Sequence, residues 1–203
     1  MMALRPGRSG RLIERHARQA FAVLAVLTAA LALAGCGSWA AITGAPPPPP
    51  CPPVSVLKDA ATVTRFVGGG QDIVDVVNEG EITGYDLTCE YDVDKKTKAG
   101  EVAVTLGVHV TATRGPADRQ RQATYRYFIA ITDPDRNVLD KRVFEIVVPF
   151  PGNVTALPVR DDPVPMTIPL PAGKTGQDFE IFTGFQLTPE EVAYNRRRPG
   201  MPR

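Results

Sequence analysis

Between Glu101 and Thr113 apolar and polar positions alternate without a break. Val102, Val104, Leu106, Val108, Val110 and Ala112 share one parity, and Ala103, Thr105, Gly107, His109, Thr111 and Thr113 the other. A period of two predicts a strand with one face on a core and one towards water; a helix would scatter the same valines around its circumference. Tyr125, Tyr127, Ile129 and Ile131 repeat the pattern, and Asp133-Pro134-Asp135-Arg136-Asn137 breaks it with turn chemistry. Val138 to Val148 then resumes an extended pattern, so this stretch predicts a hairpin. Upstream, Ala61 to Val67 predicts a strand ending at Gly68-Gly69-Gly70, and Ile73 to Asn78 a second, short one. Glu81 to Tyr91 predicts a third, with Tyr85, Leu87, Cys89 and Tyr91 in phase, followed by a charged hairpin loop from Asp92 to Gly100.

Pro149, Pro151, Pro158, Pro163, Pro165, Pro169 and Pro171 crowd the next interval. Their density excludes helix and central strands but suits edge strands and connections, because proline lacks the amide donor that a ladder needs. Phe179, Ile181, Thr183, Phe185 and Leu187 alternate as a last strand. Thr188-Pro189-Glu190-Glu191 supplies an N-cap, a first-turn proline and early acids, so a short helix is expected to about Arg197. About eight short strands with proline- and glycine-rich turns predict an all-β fold. The expected form is an antiparallel β-sandwich, immunoglobulin- or fibronectin III-like in broad shape, with a short C-terminal helix.

The N-terminal quarter follows another rule. Residues 1 to 18 are basic, and Ala20 to Leu33 is almost wholly apolar. That run is about 14 residues, or roughly 21 Å as a helix, short of the ~30 Å hydrocarbon core, and so reads as a signal-peptide core. It ends in Leu33-Ala34-Gly35-Cys36, which resembles the bacterial lipoprotein lipobox at every position. The resemblance implies acylation of the Cys36 thiol and cleavage before it, leaving Cys36 as an N-terminus anchored to membrane lipid. Gly37 stands where an aspartate signals inner-membrane retention in Gram-negative lipoproteins, so the resemblance further implies delivery to the outer membrane, facing the periplasm. The body is similar to uncharacterised proteobacterial lipoproteins, which implies no activity.

The expected organisation is therefore a signal peptide (1–35), a lipidated cysteine and tether (36–53), a sandwich (54–188) and a helix with a basic tail (189–203). In the tether, Pro46 to Pro50, Pro52 and Pro53 favour polyproline II and a semi-rigid spacer of about 25 Å. Trp39 lies three residues past the anchor and suits a membrane interface.

Composition changes the picture only after this cut. The 203-residue chain is 43% hydrophobic and 22% charged with a net charge of +1, as in ordinary globular proteins. Losing Arg5, Arg8, Arg11, Glu14, Arg15 and Arg18 leaves 168 residues with a net charge of −3, which gives no electrostatic case for nucleic acid. Cys51 and Cys89 remain as an even pair in an oxidising compartment, and a disulfide between them would pin the end of the stalk to the domain.

Candidate chemistry is sparse. Past Cys36 the only serines are Ser38 and Ser55 and the only histidine is His109, so a Ser-His-Asp site would have to join His109 to Ser55. A Cys-His site would consume a cysteine of the expected disulfide. Zinc needs three or four ligands that are not present. Asp133-x-Asp135-x-Asn137 begins like a calcium loop, but Val138 replaces the expected glycine and Phe144 the closing glutamate. Asp161-Asp162 and Asp92-x-Asp94 read as solvated turns, and Arg196-Arg197-Arg198 as cations at a helix end. No catalytic residue, metal site or cofactor is assigned. The expectation is a non-enzymatic envelope lipoprotein acting as a protein-binding or assembly module. The alternative is a sandwich that binds glycan, a small molecule or calcium through its loops, and a carboxylate-based hydrolase ranks third.

Overall fold

The computed structural model describes residues 49–198. The lipobox residues Leu33, Ala34, Gly35 and Cys36, together with Trp39 and the first part of the tether, lie outside the described residues.

Alternation in the middle of the chain builds the core directly. Strand β4 (Gly100–Arg114) turns Val102, Val104, Leu106, Val108, Val110 and Ala112 inward, and all six are buried. Against them lie Tyr125, Tyr127, Ile129 and Ile131 of β5 (Gln122–Thr132), also buried. Burying a side chain of this size stabilises by roughly 1.5–3 kcal/mol each, so the facing columns are the main source of stability. Two sheets carry them. One has the order β1-β9-β5-β6, with β1 (Val54–Val56), β9 (Glu180–Phe185) and β6 (Val138–Pro149). The other has the order β2-β3-β4, from β2 (Thr62–Phe66) and β3 (Val76–Val93), with β7 (Ala156–Arg160) and β8 (Val164–Leu170) sharing the far edge of β4 end to end. The expected β-sandwich is thus observed, with nine strands rather than about eight. All pairings are antiparallel except β1 with β9, which is parallel. Prolines 158, 165 and 169 fall in β7 and β8 on the sheet's edge, where the missing donors cost least.

The expectation of a separate strand from Ile73 to Asn78 is corrected. Ile73–Asp75 is a 3₁₀ turn closed by a reciprocal Asp72/Asp75 capping box, and Val76 begins a single 18-residue strand that continues through the former Glu81–Tyr91 segment. Gly80 hides this continuity in the sequence. A Cβ built there would come within 2.9 Å of the Tyr125 ring and 3.1 Å of the Phe185 ring, so the missing side chain admits two rings of the facing sheet rather than breaking the strand. A bulge between Ile82 and Gly84 then shifts the phase. It lets Ile82 and, further on, Leu87, Cys89 and Tyr91 all pack against the same core.

The C-terminal helix α1 (Pro189–Arg197) forms where the capping residues predict it. Thr188 Oγ1 accepts from the Glu191 amide and the Glu191 carboxylate accepts from the Thr188 amide. The helix packs beside β2 through Phe66 and Tyr194, whose rings meet edge to face at 5.1 Å. Asn195 is buried there and donates to the carbonyls of Asp59 and Thr62.

The Gly80 approach yields a direct test. Gly80→Val should lower stability by about 2 kcal/mol through overpacking, read as a fall in the midpoint of urea unfolding. An unchanged midpoint would show that the rings do not close on this position.

Candidate functional site

Cys51 and Cys89 form a disulfide with a Cα–Cα distance of 5.7 Å. The surrounding contacts make the join a clamp. Tyr91 Oη donates to the Pro50 carbonyl at 2.6 Å and accepts from the Gly176 amide at 3.0 Å. Gln177 Nε2 donates to the Cys51 carbonyl at 2.6 Å, and the chain then enters β1 alongside β9. Gly176 is needed at this point, because a Cβ would collide with the Tyr91 hydroxyl and with Pro52. The end of the proline run is therefore fastened near the C-terminal end of β3.

The opposite end of β3 has a different character. The turn that precedes it exposes Val67, Ile73 and Val74, which are 52%, 83% and 72% accessible. Thirteen residues separate Val76 from Cys89, about 40 Å along a strand. Gly68 and Gly69 adopt the positive φ angles of 75° and 124° that fold this turn, and the Val67 amide closes it on the Asp75 carbonyl at 2.9 Å. Beside the aliphatic turn is a cavity of about 350 Å³ lined by Thr64, Ile73, Glu79, Arg114, Tyr194 and Arg198 among others. Glu79 pairs with Arg198 and accepts a longer hydrogen bond from Thr64. The Glu79 hydrogen bond raises the Arg198 pKa and keeps that guanidinium charged.

Arg114 on the cavity wall is held by Asp118, whose side chain is only 1% accessible. Arg114 Nε donates to Asp118 Oδ2 at 2.6 Å, and the Gln120 and Arg121 amides donate to the same carboxylate. Burial pushes the Asp118 pKa up, but these donors outweigh it and hold the carboxyl below its ordinary value. This node was not singled out from the sequence. Its only local signal is an aspartate directly after Gly115-Pro116-Ala117, a placement common to many turns.

The remaining candidates are dispersed. His109 Nε2 and Asp86 Oδ2 lie 2.7 Å apart on the outer face of the β2-β3-β4 sheet, with Arg160 Nη1 3.5 Å from the same oxygen. The hydrogen bond with His109 lowers the Asp86 pKa. Ser55 belongs to the other sheet and donates to Glu180 at 2.7 Å, so the structure does not bring Ser55 and His109 together. Asp133 spends both oxygens inside its own turn, accepting from the Asn137 amide and side chain at 2.8 Å each, which lowers its pKa. Asp94 caps the 94–99 turn through the amides of Thr97 and Lys96. Asp161 departs from the expected solvated turn. It accepts a 2.6 Å hydrogen bond from the buried Tyr127 hydroxyl and fastens the start of the β7–β8 connection to β5. Arg196 pairs with Asp59 at 2.6 Å, so two of the three consecutive arginines are engaged by the body. Among the described residues no group of three or more His, Cys, Asp or Glu side chains could hold a metal ion, and no helix is long and apolar enough to cross a membrane.

Compared with protein-family models, curated proteins and solved structures, the chain matches none. The arrangement itself can fasten the entering chain at one end of β3 and present an aliphatic turn with a charged cavity at the other.

Two tests follow from these geometries. Replacing Cys51 and Cys89 together by serine should lower stability by up to about 4 kcal/mol on the chain-entropy model for a 38-residue loop, measured by denaturant unfolding without reductant. Asp118→Asn should cost about 2–3 kcal/mol at pH 7. A depressed folded-state pKa contributes stability above the unfolded value of about 3.9, and that contribution is lost as pH falls through the lower folded value. The gap between wild type and variant should therefore be steady above pH ~5 and narrow towards pH ~3.

Proposed function

We propose that this protein is a membrane-anchored cell-envelope lipoprotein whose sandwich serves as a protein-binding or assembly module. The anchor is Cys36, reached through the lipobox Leu33-Ala34-Gly35, and the expected location is the outer membrane facing the periplasm. The observation that carries the binding role is the aliphatic turn. Val67, Ile73 and Val74 stand in solvent next to a cavity with a charged rim, at the end of β3 remote from the stalk clamp. Exposed aliphatic clusters with polar borders suit protein docking, because burying them on a partner recovers the hydrophobic gain that the monomer forgoes. The disulfide supports the anchoring role, since a covalent joint transmits a fixed attachment point from tether to sandwich.

Two measurements test the halves separately. Cys36→Ser should shift the protein from the membrane fraction to the soluble envelope fraction, and unchanged processing and anchoring would refute the lipoprotein reading. Ile73→Asp combined with Val74→Asp should leave the thermal midpoint nearly unchanged, as expected for exposed sites. It should also abolish the discrete adduct formed in intact envelopes by a photo-crosslinking residue placed at Val67. Equal crosslinking in the double variant would remove this turn as the docking element.

A further inference from the structure

Strand β6 is the outer strand of its sheet, and its 12 residues leave one backbone edge unpaired among the described residues. Soluble proteins usually guard such an edge, because its free amides and carbonyls accept another strand. Here Val138, Leu139, Val143 and Val147 are all exposed on it. Val143 and Val147 lie on the outward face with Lys141 and Glu145, opposite Phe128, Thr124, Ala130 and Arg126 of β5 respectively. Lys141 reaches across to place its ammonium 4.6 Å from the centre of the Phe128 ring.

We propose that β6 pairs antiparallel with β6 of a second copy of this chain, about a two-fold axis at Val143. An axis perpendicular to the sheet keeps outward residues opposite outward residues, so each symmetric register is centred on one residue. Centres at Lys141 and Glu145 bring like charges face to face. Centres at Arg142 and Phe144 set Lys141 and Glu145 against aliphatic residues. Centring on Val143 opposes Val143 to Val143, Lys141 to Glu145 and, by alternation, Leu139 to Val147. The rows then extend across both copies. Phe128 and Val143 continue into the second Val143 and Phe128, while Arg126 and Glu145 continue into the second Lys141. Charges thus alternate along the outer rows and aliphatic groups meet at the centre, an arrangement in which cross-strand pairs reinforce one another. The irregularity near Val138 and the missing amide of Pro149 delimit the paired run at its two ends.

The product is a continuous eight-stranded sheet. Because the two-fold reverses strand direction, the stalk clamps of the two copies lie at opposite ends of it. Neither clamp nor aliphatic turn is covered, so pairing is independent of the docking role proposed above.

The full chain in its own membranes provides the test. Val143→Cys under mild oxidation should give a disulfide-linked homodimer absent from wild type and from Thr167→Cys, an exposed control on β8. Lys141→Glu should weaken association roughly tenfold by opposing like charges on two symmetric rungs, measured by fluorescence self-association in detergent. The double variant Lys141→Glu with Glu145→Lys should restore it. Absence of the Val143→Cys homodimer, or its replacement by an adduct with a different protein, overturns the proposal. Failure of the double variant to rescue Lys141→Glu overturns the register.

Discussion

The contact on which everything else depends is the packing of β4 against β5. Six consecutive inward positions of β4 meet four of β5, and every other strand pairs with one of these two or, as β1 on β9 and β2 on β3, with a strand that does. β3 and the β7–β8 edge flank β4, while β6 and β9 flank β5. The two tyrosines in this interface carry a polar group into an apolar layer, which requires a partner for each hydroxyl. Tyr125 donates to the Glu79 carbonyl and Tyr127 to Asp161. Burial raises both phenol pKa values, so each remains a neutral donor. Core packing and the ends of the facing sheet are thereby tied: one hydroxyl secures the start of β3, the other the start of the β7–β8 connection.

These ties explain why the two ends of the molecule differ. At one end the disulfide, Tyr91 and Gln177 converge on the entering chain and leave it little freedom. At the other, Asp118 and the Glu79–Arg198 pair organise charged walls around a cavity, but no described side chain covers Ile73 or Val74. The domain thus invests several hydrogen bonds where residues 50–53 enter it and leaves aliphatic groups exposed at the far end of β3. The β6 edge adds a lateral surface with its own chemistry, distinct from both ends.

Much of the sandwich was legible because its strands bury one face only. Val102 to Ala112, Tyr125 to Ile131 and Phe179 to Leu187 write their orientation in parity, and Thr188 to Glu191 writes a helix start in hydrogen-bonding groups. The even cysteine count pointed to the disulfide that is observed. The start of the expected Ile73–Asn78 strand differs for a physical reason: Ile73-Val74 is as β-prone a pair as Val76-Val77, and local propensity does not register that only the second pair finds a neighbouring strand. Gly80 obscured the continuity of β3, since a glycine admitting two rings and a glycine ending a strand are identical in the sequence.

The chain's own order of residues determined the strands, the turns, the helix cap and the resemblance of Leu33-Ala34-Gly35-Cys36 to a lipobox, because each rests on groups within a few positions of one another. Tertiary structure alone decided which residues 30 to 130 positions apart would meet. Cys51 with Gln177, Tyr127 with Asp161, Arg198 with Glu79, and β1 beside β9 all arise from how the two sheets pair and stack. Exposure was settled at the same level. Val74 and Val104 are the same residue, and only the presence or absence of a facing layer leaves one in water and the other in the core.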